Sequence, residues 1–168
     1  MALTVETGAV IAGAESYISV ADASTYHSNR GNAAWAALAT DASREQCLRK
    51  ATDYMVQVYR DRWQGARYDE DQVLDWPREG VVRDSWGVAH DTVPTEVKNA
   101  CAELALKAAT ASLSPDLTQG VVSEQVGSIA VTYDKSSPQR TRYAAIDNML
   151  APYLKAGGSG IMMGLIRS

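Results

Sequence analysis

Apolar residues in this chain recur mainly at helical intervals. Leu48, Ala51, Met55 and Val58 step by three and four, with Cys47 and Tyr54 beside them, while Arg44, Arg49, Lys50 and Asp53 take the other positions. That spacing predicts a long amphipathic helix over about 41–60. Val97, Cys101, Leu104, Ala108 and Ala111 form a second stripe, predicting a helix from Pro94 to about Leu113. Pro94 suits its first turn, Glu96 suits its positive end, and Ser114-Pro115 stops it. Ala100, Ala102, Ala105 and Ala109 keep this helix slim enough for close packing. Two shorter helices are expected before these. One follows a capping box at Ser19-Val20-Ala21-Asp22 and ends near Gly31; the other is an Ala-rich turn around Trp35. A last helix is expected over about 141–155 on Ile146, Leu150 and Leu154, with Pro152 breaking its regular part.

The period changes to two between 121 and 133. Val122, Glu124 and Val126 alternate with their neighbours, Gly127-Ser128 intervenes, and Ile129, Val131 and Tyr133 resume the alternation. A Gly-Ser pair between alternating runs predicts a β-hairpin, with Val126, Ile129, Val131 and Tyr133 as its contact residues. Leu3-Thr4-Val5 predicts a short strand. Residues 64–92 show neither period, and the loop they form is anchored by Trp76-Pro77-Arg78; a loop of that length in a small domain is often functional. The fold class is therefore mainly α: a small helical bundle with a β-hairpin insertion and an extended C-terminal arm.

The arm is the most unusual segment. After Leu154-Lys155 comes Ala156-Gly157-Gly158-Ser159-Gly160, and then Ile161, Met162, Met163, Gly164, Leu165, Ile166, Arg167 and Ser168. A Gly/Ser spacer gives reach, and an apolar end needs a surface to cover it. The division expected is a helical domain over 1–156 and a docking arm over 157–168, carried by Ile161, Met162, Met163, Leu165, Ile166 and Arg167. The arm either inserts into a partner or neighbouring copy, or folds back on its own core.

Composition narrows the function classes. At 168 residues, 46% hydrophobic, one domain can bury a real core; four Trp and eight Tyr supply the aromatic volume, since there is no Phe. The net charge of −4 argues against a coat for nucleic acid, which needs many Lys and Arg for phosphates. The charge is uneven: residues 44–68 carry a net +3, and residues 69–103 a net −6. Such segments can pair between subunits or stand as ordinary solvated faces. Cys47 and Cys101 fall on helical apolar positions, which fits two buried thiols in a reducing compartment. No stretch approaches the roughly twenty apolar residues of a membrane span, and Met1-Ala2-Leu3-Thr4 lacks the charged start of a secretory signal; assembly in the cytoplasm is expected.

Candidate chemistry is sparse. The two histidines, His27 and His90, have no neighbours that make a recognisable site. Asp69-Glu70-Asp71 with Asp75 lacks the glycine of a calcium loop, having Leu74 in its place. No enzyme, no cofactor and no metal site is expected. Trp63, Trp76 and Trp86, interleaved with Arg60, Arg62, Arg67, Arg78 and Arg83, could stack bases of a single strand. The same stretch carries seven carboxylates from Asp61 to Asp84, which oppose a phosphate backbone, and a Trp before Pro is more often a buried anchor that pins a loop.

Read in order, these segments resemble a phage family over nearly the whole length. The resemblance rests on Glu15-Ser16-Tyr17-Ile18-Ser19-Val20, Arg30-Gly31-Asn32-Ala33-Ala34-Trp35 and Arg49-Lys50-Ala51-Thr52-Asp53-Tyr54. It rests also on Trp76-Pro77-Arg78, Val93-Pro94-Thr95-Glu96-Val97-Lys98 and Val126-Gly127-Ser128-Ile129. Together they look like the head-tail adaptor (connector) proteins of tailed bacteriophages, whose relatives often carry the label DnaT-like single-stranded-DNA-binding protein. The resemblance implies a structural virion protein located in the neck. Its partners would be the portal protein, neighbouring copies in a twelve-membered ring, and a neck or tail-completion protein. Genomic double-stranded DNA would pass through the channel without sequence-specific binding, and the C-terminal arm would insert into the portal. The alternative is a single-stranded-DNA-binding protein.

Overall fold

The computed structural model describes residues 2–115, 123–126, 129–132 and 141–155. Among them are five α-helices: α1 (Val20–Ser28), α2 (Ala33–Ala36), α3 (Asp41–Tyr59), α4 (Thr95–Ala108) and α5 (Ala144–Leu150). Six short strands make three two-stranded antiparallel ribbons. They pair β1 (Ala66–Arg67) with β2 (Arg78–Glu79), β3 (Val82–Arg83) with β4 (Trp86–Gly87), and β5 (Ser123–Val126) with β6 (Ile129–Thr132). The mainly helical architecture with a hairpin is as the periodicities imply.

Helix α4 is the axis of the bundle. Val97, Ala100, Cys101, Ala102, Leu104 and Ala105 are all fully buried, a wider arc than one helix face. The alanines make this possible, because a helix without bulky side chains can be approached from several sides. Helices α3, α1 and α5 all pack on it, α3 most extensively. Helix α3 contributes Leu48, Ala51 and Met55, each buried completely. Its start is capped by Thr40, whose hydroxyl accepts from the Ser43 N–H. At α1, the Ser19 hydroxyl accepts from the Asp22 N–H and donates to the Asp22 carboxylate at 2.7 Å, so the pair closes through side chains instead of returning to the Ser19 backbone.

Several boundaries differ from the sequence reading. Helix α4 ends at Ala108, not near Leu113. Beyond it the Thr110 amide tightens to the Lys107 carbonyl three residues back, at 3.1 Å, and the Thr110 hydroxyl competes for the same acceptor. Ala111 is thereby exposed while Leu113 is buried. The last helix starts later, at Ala144, and becomes a 3₁₀ turn over Ala151–Tyr153 at Pro152. Leu3-Thr4-Val5 is not a strand; only Val5 forms a single bridge, to Ser16. Pro94 lies just outside its helix, at the cap.

His27 joins three elements from inside. It is fully buried, its Nε2 lies 3.1 Å from the Ala102 carbonyl, and its Nδ1 lies 3.0 Å from the Asn32 amide. A carbonyl can only accept, so Nε2 carries the proton and Nδ1 accepts from Asn32. Burial holds the imidazole below its ordinary value, against the opposing pull of the Ala102 carbonyl. Because the unfolded chain binds that proton more readily, stability should be full above about pH 6.5 and fall as pH drops from there towards the lowered folded value. Urea denaturation of the native chain and of His27→Gln at several pH values checks this: the variant should lose the slope in that window, whatever its absolute stability.

Candidate interaction surface

The long segment 64–92 is not featureless. It is a folded cap over one end of the bundle, and its inward side is aromatic. Trp63, Trp76 and Tyr153 are buried and meet edge to face, with ring centroids 5.6 Å apart for Trp63–Trp76 and 5.7 Å for Trp76–Tyr153; Tyr59 extends the row to Trp63 at 5.7 Å. Neither indole N–H of the two tryptophans finds an acceptor among the described residues, so packing alone holds them.

Burying irregular backbone requires donors for its carbonyls. Arg78 supplies three: Nε donates to the Gln64 carbonyl at 2.7 Å, Nη1 to Asp75 at 3.0 Å and Nη2 to Gly65 at 2.9 Å. Gln72, also buried, donates to the carbonyls of Leu74 and Pro77. Asp75 is buried with one carboxylate oxygen 3.0 Å from Arg60 Nε, and its own N–H donates to the Tyr17 hydroxyl. Burial first, then the Asp75 charge, push that phenol well above its ordinary value. Gly65 and the Glu79 carbonyl meet so closely that any β-carbon at 65 would clash.

The outward side carries the exposed groups. Trp86 is 79% exposed, Val82 50% and Tyr68 46%. Arg83 and Trp86 are opposite each other in the β3–β4 pair, and Arg83 fixes the ribbon to the bundle. Its Nη1 donates to Glu96 and to the Tyr153 hydroxyl, each at 2.7 Å, and that hydroxyl donates to the second Glu96 oxygen at 2.7 Å. Burial raises the Glu96 carboxyl, but the Tyr153 hydrogen bond and the Arg83 charge outweigh it and leave the group below its ordinary value. For Tyr153, burial and then the hydrogen bond to Glu96 push the phenol up to about 12. Within segment 64–92 the exposed charged side chains are mostly acidic: Asp69, Glu70, Asp71, Glu79, Asp84 and Asp91, against the one exposed Arg83. Tyr68 and His90 stack at 4.7 Å beside them.

Of the residues singled out from sequence, Trp76, Pro77 and Arg78 are together and buried. Trp76 and Arg78 are therefore closed to a nucleic-acid strand, and the set of interleaved Trp and Arg is split between core and surface. Val126 and Ile129 are partners in the β5–β6 register, and Val131 pairs with Glu124; Tyr133 lies outside the described residues. So does the whole arm, Ile161, Met162, Met163, Leu165, Ile166 and Arg167 included. The Arg83–Glu96–Tyr153 network escapes sequence reading because its members are far apart in the chain and each looks like an ordinary surface or core residue. Among the described residues no group of three or more His, Cys, Asp or Glu is placed to hold a metal ion, and no helix is long and apolar enough to cross a membrane. Cys47 and Cys101 are free and buried.

A family profile described as "Putative DnaT-like ssDNA binding protein" matches residues 1–168. Searches of curated proteins and of solved structures found no match.

Two substitutions separate the inner and outer sides of the cap. Trp76→Ala should cost about 3–5 kcal/mol in chemical denaturation, whereas Trp86→Ala should change stability by no more than about 0.5 kcal/mol. Tyr153→Phe should fall between, at about 1–3 kcal/mol, because it removes a hydrogen bond to a charged group. It should also shrink the stability lost on acidification below about pH 4.5, where the lowered Glu96 carboxyl takes up its proton.

Proposed function

The chain belongs to that DnaT-like family, and from this premise we propose that it works as a structural adaptor of a tailed-phage neck. In this reading copies of the chain form a ring, twelve by the resemblance, beneath the portal. The ring extends the DNA channel and joins the capsid to the neck or tail. The observation that carries the proposal is Trp86: a large apolar side chain, 79% exposed, on a ribbon that Arg83, Glu96 and Tyr153 hold rigid. A fixed aromatic on a polar rim is the kind of group that anchors protein–protein contacts. The exposed charges of its segment are mostly acidic, which suits a protein partner and opposes a phosphate backbone.

The rest of the mechanism follows from symmetry. Docking many copies on one symmetric support raises the local concentration of neighbours, so weak lateral contacts suffice. The apolar residues Ile161, Met162, Met163, Leu165 and Ile166, with Arg167 behind a Gly/Ser spacer, supply the portal-docking element. Exposed carboxylates such as Asp69, Glu70 and Asp71 would let DNA slide past without adhering. No catalytic role is assigned to any residue.

A second reading, single-stranded-DNA binding, is favoured by the family's description. On this structure it would have to use Trp86 and the Tyr68–His90 stack, not Trp76 and Arg78.

Light scattering of the chain alone and mixed with its cognate portal, with and without residues 157–168, tests the proposal. A tail-dependent complex holding many copies per portal ring is the expected result. Tight, salt-dependent oligonucleotide binding that Trp86→Ala abolishes, with no portal complex, would establish the second reading instead.

A further inference from the structure

A second feature of the surface is complementary to the Trp86 ribbon. Between α3 and the end of α4 lies a groove of about 390 Å³ whose lining includes Lys50, Asp53, Tyr54, Ala108, Ala111 and Leu113. It exists because α4 stops early: past Ala108 the chain turns, Leu113 folds inward, and the small side chains of Ala108 and Ala111 leave the space open. Its floor is apolar. The charged residues Lys50 and Asp53 are both in its lining and both exposed.

We propose that the Trp86 hairpin of one copy seats in this α3–α4 groove of the next copy, a head-to-tail contact between identical chains. The inference rests on the adaptor reading and names the lateral contact that reading requires. Knob and groove are different patches of the same chain, so the contact is heterologous, and a heterologous contact whose rotation closes generates a ring. Charge permits the pairing. Arg83 and Asp84 accompany Trp86, and Asp53 and Lys50 line the groove, so each side offers one charge of each sign for the other to pair. Size fits as well: the groove has room for a large aromatic side chain. One aromatic residue buries only about 150–250 Å², far less than the roughly 1,200 Å² of a stable interface. The contact is therefore weak by itself and becomes effective only among copies held side by side.

Disulfide trapping tests the contact because it accumulates even brief encounters. Ser85 flanks Trp86 and Ser112 lines the groove, and both are exposed; the native thiols, Cys47 and Cys101, are buried. With oxidised glutathione as oxidant, a mixture of the Ser85→Cys and Ser112→Cys variants should give the mixed dimer in preference to either homodimer, and the double variant should give a ladder of oligomers. Trp86→Ala in the knob, or Ala111→Trp in the groove, should each cut trapping at least tenfold, with no further loss when combined. Circular dichroism confirms that these variants fold. Ser85→Cys pairing mainly with itself would overturn the proposal, as would a portal-bound ring that both Trp86→Ala and Ala111→Trp leave intact; in the latter case the adaptor reading survives. Trapping seen only after deletion of 157–168 would overturn it in favour of the chain's own tail as occupant. Absence of both trapping and portal complex would sink the adaptor reading with it.

Discussion

An irregular segment can be folded over a protein's core only if the backbone groups it carries inward find partners. That constraint organises this molecule. Segment 64–92 closes one end of the helical bundle with Trp76 at its centre, and each peptide group drawn in with Trp76 has to be met by something other than water. Arg78 meets three carbonyls with one guanidinium, and Gln72 meets two more with one amide. Desolvation makes holding the Arg78 charge there costly and lowers its affinity for the proton, against the pull of Asp75. A planar group with five fixed donors is well suited to several carbonyls at once, and lysine could not replace it.

With the cap held from inside, its outer surface is free to carry residues that contribute nothing to stability. Trp86, Val82 and Asp84 sit on the β3–β4 ribbon, and the ribbon is fixed by the pairing of Arg83 with Glu96 and Tyr153. The same Tyr153 ring packs edge-on against Trp76. One tyrosine thus touches both the buried anchor and the exposed platform, with its ring serving the first and its hydroxyl the second.

The bundle was legible in the sequence because helices announce themselves by local spacing. The stripes on α3 and α4 and the cap at Ser19 involve residues within a few positions of one another, and so does the alternation of β5 and β6. What was not legible depends on distant partners. Arg83 and Glu96 are thirteen residues apart and Tyr153 lies fifty-seven beyond Glu96; nothing near any of them signals the other two. The end of α4 is not legible for a related reason. Alanine is compatible with helix at 109 and 111, and the competing hydrogen bonds from Thr110 to Lys107 leave no periodic trace. Trp76 reads as a buried anchor because Pro77 follows it, but Trp63 and Trp86 look alike in sequence, yet the first is core and the second surface, a distinction made by tertiary packing alone.

The way the described chain leaves the core has a mechanical consequence. Residues 152–155 run beside 61–64: Lys155 N–H donates to the Arg62 carbonyl at 2.7 Å, Gln64 N–H to Tyr153, and the Gln64 side chain to Pro152 and Leu154. Tension applied at the end of the chain would meet this cluster of bonds before it reached α5. The load would be shared among several bonds at once and would pass through Tyr153 to the Arg83 ribbon. The terminal strap is therefore a strain relief, shielding the last helix from a pull on whatever follows Lys155.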